Sequence, residues 1–347
     1  MEKSAYRIID ANFNRAREAL RVMEEYCRFC LDNSDLTGRA KAIRHELCGQ
    51  IRKLDTGELI CSRDTEGDVG VGKQVEAQLG RGSLVDSFTA AAKRLEEALR
   101  ALAEVIKIID ADSARIIEDL RYRTYTLEKD VVVYSSTSLR ISRVKLYVLI
   151  TSSDSNEILS LTRACGMGGA DCVQLRVKNS TDRDTLELGK EFVHCCGEND
   201  LVSIINDRVD IAVLSGADGV HLGQDDIGVD AVGDFQRKPM IVGKSTHNIA
   251  QLECAISESP GYIALGPAYQ TKTKPGVKAA GMDYIYEGVR RLKQAKIPSL
   301  AIGGIDEGNI QEVLASGVDI IAVCSAVTGA EDPQGACERL KEKILNF

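Results

Sequence analysis

From Lys145 onward the sequence alternates short apolar runs with helical stretches, and this rhythm restricts the fold more than any other feature. Apolar runs occupy residues 146–151, 171–177, 201–206, 219–222, 240–245, 262–266, 299–303 and 320–324. Stretches between them, such as 185–195 and 309–315, read as helices of ordinary length. Strands that are apolar almost throughout, instead of alternating, are buried on both faces, as in a parallel sheet covered by its crossover helices. Eight such units in roughly 200 residues fit a (β/α)8 TIM barrel better than an open sheet. The expected fold is therefore α/β at the C-terminal side.

The first 130 residues follow a different period and read as an all-α domain. Ala16, Leu20, Met23, Cys27 and Leu31 recur at three- and four-residue steps, which predicts a helix over 11–31. Further helices are predicted over 34–54, with Ser34 or Asp35 as the cap, and over 86–109 and 113–128. Two of them share a motif. Arg15-x-x-Glu18-Ala19-Leu20-Arg21-x-x-x-Glu25 matches Arg94-x-x-Glu97-Ala98-Leu99-Arg100-x-x-x-Glu104, position for position. These charges fall on one helical stripe, either as a solvated, self-paired face or as the lining of a polar cleft between equivalent helices. The loop Arg63-Asp64-Thr65-Glu66-Gly67-Asp68-Val69-Gly70 reads as a metal or phosphate loop, or simply as a turn-rich connector. Residues 131–144, β-prone and then rich in serine, read as a linker. The predicted domains are thus 1–130, a linker over 131–144, and a barrel over 145–347.

Composition narrows the function classes. A formal net charge of -8 argues against nucleic acid as the main partner. No apolar run approaches the roughly 18 residues of a membrane span, and Met1-Glu2-Lys3-Ser4 lacks the apolar core of a secretory signal. Eleven cysteines without framework spacing fit a reducing cytoplasm. Cys27-Arg28-Phe29-Cys30 is formally C-x-x-C, but it falls inside a helical pattern, which disfavours a redox role.

In a (β/α)8 barrel the chemistry lies at the C-terminal ends of the strands. Strand two ends in Gln174-Leu175-Arg176-Val177-Lys178, where alternation directs Gln174, Arg176 and Lys178 to one side, toward one anion. Strand three delivers Asn206 and Asp207, and strand four leads through Gln224 to Asp226. Two carboxylates on adjacent strand ends, facing a cluster of donors, suit Mg2+, which takes one or two protein carboxylates and fills its shell with water and phosphate. Taken separately, an Asn-Asp pair after a strand is more often a cap or turn, and His221 within strand four reads as a packed core histidine. Strand five ends in Lys244-Ser245-Thr246-His247. Strand six leads into a loop carrying Thr271, Lys272, Thr273 and Lys274. Gly303-Gly304 after strand seven and Cys324-Ser325-Ala326 after strand eight form a phosphate site of backbone donors. Two anionic groups are expected in one site.

Together these motifs resemble the thiamine phosphate synthase family over 145–347. The resemblance rests on Gln174-Leu175-Arg176-x-Lys178, Asn206-Asp207, Gly219-Val220-His221-Leu222-Gly223-Gln224-x-Asp226, Gly266-Pro267-x-Tyr269-x-Thr271-x-Thr273-Lys274 and Ile302-Gly303-Gly304-Ile305. It implies condensation of hydroxymethylpyrimidine diphosphate with hydroxyethylthiazole phosphate, giving thiamine phosphate and diphosphate. By the same resemblance Asp207 and Asp226 hold Mg2+, and Gln174, Arg176, Lys178, Asn206, Ser245 and Lys274 hold the pyrimidine diphosphate. Thr271, Lys272, Thr273, Gly304, Cys324 and Ser325 hold the thiazole phosphate, while Arg176, Lys178 and Lys274 stabilise the departing charge. Cys324 departs from the Ile or similar residue commoner in the family.

The helical half resembles a domain often fused to this synthase and assigned as a hydroxymethylpyrimidine phosphate kinase. That resemblance rests on Ile9-Asp10-Ala11-Asn12-x-Asn14-Arg15-Ala16-Arg17-Glu18, Arg44-His45-Glu46-Leu47, Arg63-Asp64-Thr65-x-Gly67-Asp68-Val69 and Leu120-Arg121-Tyr122-Arg123-x-Tyr125-x-Leu127-Glu128. It implies ATP as a partner, although no Walker-type glycine loop is present. Two alternatives stay open: a structural dimerisation or docking role for this half, compatible with a homo-oligomer, and a related thiazole phosphate isomerase on the barrel.

Overall fold

The computed structural model describes residues 3–54, 56–67, 80, 82–178, 180–235, 239–270 and 279–347. The chain divides into two compact units, Met1–Ser135 and Ser136–Phe347. Among the described residues no helix is long and apolar enough to cross a membrane.

The first unit is helical: α1 (Lys3–Glu25), α2 (Ser34–Ile51), the short α3 (Thr56–Cys61), α4 (Leu84–Ile106) and most of α5 (Ala111–Ser142). α1 ends in a π-helical turn, Tyr26–Cys30, which carries the C-x-x-C. Cys27 there is fully buried, and burial pushes its thiol up to about 12, the reverse of what a redox thiolate needs. α2 is capped one residue earlier than expected, by Asn33, whose side chain accepts from the Leu36 amide at 2.9 Å. The shared motif is amphipathic in both helices: Ala19, Leu20, Ala98 and Leu99 are buried at the contact between α1 and α4.

The expected linker is not one. Residues 131–142 are the last turns of α5, and the boundary between units falls within that helix. Val131 is fully buried four residues after the equally buried Leu127, and Tyr26 Oη lies 3.1 Å from Ser135 Oγ. Packing of a helical stripe overrode the weak β preference of a Val-rich run.

The second unit is a closed barrel of eight parallel strands in chain order: β1 (Leu146–Thr151), β2 (Cys172–Arg176), β3 (Val202–Asn206), β4 (Gly219–Leu222), β5 (Ile241–Thr246), β6 (Tyr262–Leu265), β7 (Ser299–Ile302) and β8 (Ile320–Val323). Helices α6 (Ser155–Met167), α7 (Asp182–Glu198), α8 (Val209–Ser215), α9 (Val229–Phe235), α10 (Ile249–Glu258), α11 (Met282–Ala295), α12 (Ile310–Ala315), α13 (Ser325–Thr328) and α14 (Pro333–Leu345) follow or separate the strands. Outward residues such as Val148, Val173, Val220 and Ile263 form the core beneath the helices, and inward ones such as Tyr147, Ile204, Ile241 and Leu300 fill the barrel. Ile141 and Val144 join the inward cluster.

A repeated device closes the strands' N-terminal ends. Gly169-Ala170-Asp171, Gly216-Ala217-Asp218 and Gly317-Val318-Asp319 each pair a left-handed glycine (φ 78°, 79° and 74°) with an aspartate entering an even-numbered strand. Each aspartate reaches back to the preceding odd strand. Asp171 Oδ2 accepts from the Leu146 amide at 2.8 Å, Asp218 Oδ2 from Ser203 N at 3.0 Å, and Asp319 Oδ2 from Ser299 N at 2.9 Å. Ser203 and Ser299 also donate their hydroxyls to the same oxygens. Hydrogen bonds to a charged partner contribute about 1.5–3 kcal/mol each. Asp218→Ala, which loses two such hydrogen bonds and an ion pair to Arg140, is therefore expected to destabilise the barrel by about 3 kcal/mol. Urea unfolding measures this, and a change below about 0.5 kcal/mol would contradict it.

Candidate active site

The C-terminal ends of the strands open into a cavity lined by Gln174 and Arg176 of β2, Asn206 of β3, His221 of β4 and Ser245 of β5. Gly303, Gly304, Cys324 and Ser325 line it from the ends of β7 and β8. Strand alternation places these residues: along β2 the inward positions run Cys172, Gln174, Arg176, and along β5 Ile241, Gly243, Ser245.

Arg176 is the electrostatic centre of this cavity. Its Nη1 is buried and has no hydrogen-bond partner among the described residues. Leaving such a donor desolvated costs about 1–3 kcal/mol, more when charged, so an anion is the partner this position suits. Lys178 lies two residues beyond the end of β2 and is exposed, not among the cavity-lining residues. Lys244 faces Glu258 of α10, 3.9 Å away, with its side chain nearly buried.

At the opposite wall the chain approaches itself closely. Gly303 and Gly304 have φ of 106° and 65°, and a Cβ on them would come within 2.3 Å of Pro267 Cβ and 2.7 Å of Gln270 O. Ala268 and Tyr269 amides bond to the carbonyls of Ile302 and Gly303, both at 2.9 Å, which fixes the start of the loop after β6 against β7. The four residues expected from that loop, Thr271, Lys272, Thr273 and Lys274, lie outside the described residues.

Asp207 directly follows β3, and Asp226 lies four residues beyond the end of β4. Asp207 is exposed, adopts a left-handed φ of 60°, and donates its amide to the His221 carbonyl at 2.8 Å, tying the end of β3 to β4. Asp226 is half-buried, and its Oδ2 accepts from the Gly223 amide at 2.6 Å. Neither lines the inner cavity. Among the described residues no group of three or more His, Cys, Asp or Glu comes together as a metal centre.

From sequence alone His247 had no assigned role, and the partners of His221 did not show. His247 lines the cavity and binds the Gly266 carbonyl through Nδ1 at 2.7 Å, so that nitrogen carries the proton. The signal was present, since His247 is two residues past the inward Ser245. His221 is packed as expected, but its partners, Tyr262 Oη at 2.8 Å and Ser245 Oγ at 2.8 Å, were not foreseen. Tyr262 looked like an ordinary core residue.

In the helical unit, Arg15, Glu18, Arg94 and Glu97 of the shared motif line one cavity of about 570 Å3 with Asn12 and Val22. The other half of each motif is self-paired: Arg21–Glu25 at 3.2 Å and Arg100–Glu104 at 3.1 Å. Both readings of the stripe therefore hold, for different residues. The remaining motif residues tie elements together. Arg63 binds Asp10 through two bonds of 2.6 and 2.8 Å, Arg44 binds Glu24 at 2.8 Å, and Arg123 binds Glu46 at 2.6 Å. The described part of the loop after α3 is a turn in which Asp64 Oδ1 accepts from the Gly67 amide at 2.8 Å; Asp68 onward lies outside the described residues.

Comparison with known proteins gives a consistent result. Residues 146–327 match the family model described as thiamine monophosphate synthase, and residues 7–130 match the ThiD2 family. A thiamine-phosphate synthase of Rhodopirellula baltica is 38% identical over 94% of this chain and 88% of its own length. One from Thermosynechococcus vestitus is 36% identical over 97% of this chain and 94% of its own length. Among solved structures, thiamine phosphate pyrophosphorylase from Pyrococcus furiosus superposes with a TM-score of 0.54 at 34% identity, covering 60% of this chain and 98% of that one. With a closed barrel whose strand ends converge on one cavity, and relatives of this identity along nearly all its length, the chain belongs to the thiamine-phosphate synthase family of transferases.

Proposed function

We propose that the barrel condenses hydroxymethylpyrimidine diphosphate with hydroxyethylthiazole phosphate, releasing diphosphate. The observation that carries this reading is Arg176, which lines the cavity and whose buried Nη1 has no partner among the described residues. The aminopyrimidine donates electrons to the carbon that loses diphosphate, so departure can precede attack by the thiazole nitrogen. What the protein must supply is stabilisation of charge growing on the leaving group. At about 4 Å, a unit charge contributes roughly 4 kcal/mol at an effective dielectric of 20, or nearly three powers of ten in rate. Arg176 makes that contribution from within the cavity, and Lys178 and Lys274 add further positive charge. Gln174, Asn206 and Ser245 hold and orient the pyrimidine diphosphate. Gly304, Cys324 and Ser325, with Thr271, Lys272 and Thr273, bind the phosphate of the thiazole. No general base is required, because the unprotonated thiazole nitrogen is already nucleophilic.

Asp207 and Asp226 are the residues that would hold Mg2+. Their chemistry fits: hard carboxylate oxygens that follow adjacent strands, which the Asp207–His221 backbone bond ties together. When bound, Mg2+ supplies positive charge to the leaving diphosphate. The eleven cysteines, all unpaired, support a reducing cytoplasmic setting.

For the helical unit we propose a hydroxymethylpyrimidine phosphate kinase that uses ATP, with the family match over 7–130 as its support. One chain would then make the diphosphate and consume it.

Asp207→Ala and Asp226→Ala are each expected to lower Mg2+-dependent coupling at least about 100-fold while leaving the fold intact by circular dichroism. Wild-type rates in either variant would remove the two-carboxylate site. The full chain carrying Asp226→Ala, given pyrimidine phosphate and ATP, is expected to accumulate the diphosphate. No ATP-dependent turnover would leave the helical unit as a structural module.

A further inference from the structure

A chain of hydrogen bonds crosses the barrel interior beneath the cavity. Gln174 Nε2 donates to Tyr147 Oη at 3.0 Å, and Tyr147 Oη lies 3.0 Å from Tyr262 Oη. Tyr262 Oη lies 2.8 Å from His221 Nδ1, and His221 Nε2 lies 2.8 Å from Ser245 Oγ. Tyr147 and Tyr262 are buried almost completely, whereas Gln174, His221 and Ser245 reach the cavity. The relay therefore starts and ends at the binding surface, with its middle in the core.

The packing is built around this relay. The His221 and Tyr262 rings stack with centroids 5.5 Å apart. A Cβ on Gly243 would fall 2.2 Å from Tyr262 Cζ and 2.6 Å from His221 Nδ1, so only glycine admits the pair. Burial pushes both phenols far above their ordinary range, so each keeps its single proton to donate.

Proton counting then fixes a direction. Each phenol has one hydrogen, and a neutral imidazole has one. Gln174 donates to Tyr147, so among the described residues the buried Tyr147 hydrogen has only Tyr262 Oη as its acceptor, and Tyr262 then gives its own to His221 Nδ1. Nδ1 is then the acceptor and Nε2–H donates to Ser245 Oγ. The Ser245 hydrogen is left to point into the cavity, while Gln174 presents its carbonyl Oε1 at the other end. Reversing the relay would exchange both ends at once: Gln174 would offer its amide hydrogens and Ser245 its lone pairs.

We infer that Tyr147, Tyr262 and His221 are positioning residues that lock Ser245 as a donor and Gln174 as an acceptor, so that the site selects a heterocycle offering both an acceptor and a donor. This rests on the proposed pyrimidine substrate, whose ring nitrogens accept and whose amino group donates. An analogue with that pattern reversed would meet donor against donor at one end and acceptor against acceptor at the other. Buried polar groups left unmatched in this way discriminate strongly.

The full chain, labelled with 15N-histidine, tests the inference; with four histidines in the sequence, the His221 signals are assigned by substitution. The wild type is expected to show His221 as the Nε2–H tautomer alone, and Tyr262→Phe a mixture of tautomers. An Nδ1–H tautomer or a mixture in the wild type, or an unchanged tautomer in Tyr262→Phe, would overturn the proposed direction. Tyr147→Phe, which keeps the ring volume, is expected to raise KM for the pyrimidine diphosphate about fivefold with kcat within twofold. An unchanged KM would overturn the positioning role. Absence of coupling in the wild type would remove the proposed reaction instead, and would leave the tautomer result standing.

Discussion

Closure of the parallel barrel is the constraint on which the site depends. β1 pairs with β8, Leu146 opposite Ile321 and Val148 opposite Val323, so no edge is left open and every strand points the same way. All eight C-terminal ends then share one rim, and residues far apart in sequence become neighbours there. The interior changes character along the axis. On β5 the inward positions pass from Ile241 to Gly243 to Ser245, and on β2 from Cys172 to Gln174 to Arg176. An apolar floor supports a middle layer of buried hydroxyls, and above it lie the charge of Arg176 and the side-chain amides that line the cavity. The aspartates of the three Gly-x-Asp segments stabilise the other end, which leaves the upper rim to chemistry.

Much of this was legible in the sequence, because an apolar run buried on both faces has few alternatives. All eight strands fall where the apolar runs lie, within a residue or so at each end. Gln174, Arg176, Asn206, Ser245, Gly304, Cys324 and Ser325, read as strand-end residues, line one cavity. Lys178 does not join them, since β2 ends at Arg176 and strand alternation stops there. Tyr147, Tyr262 and His247 were missed for a different reason. A tyrosine in an apolar strand looks like packing, and only the register across the barrel shows whose hydroxyl it meets. The Gly-x-Asp segments were overlooked because the device exists only between neighbouring strands, not within any one of them.

The helical unit yielded less. Its amphipathic periods gave the helices, but the Val-rich run at 131–133 misled, because a buried stripe can hold β-branched residues in a helix. The conspicuous arginines and glutamates of its motifs proved to have two fates. Arg63, Arg44 and Arg123 bridge separate elements through ion pairs, whereas Arg15, Glu18, Arg94 and Glu97 line an open cavity. Spacing along a helix identifies a charged stripe without telling which of its members face a neighbour.

The central claim is that the barrel's upper rim is a diphosphate site, with Arg176 supplying the inner charge and Asp207 and Asp226 the metal. Titrating inorganic diphosphate into the full chain by calorimetry, with and without Mg2+, tests this most directly. The account predicts binding that requires Mg2+ and weakens at least about tenfold in Arg176→Ala, the equivalent of about 1.4 kcal/mol. Equal affinity without the metal, or in Arg176→Ala, would contradict it.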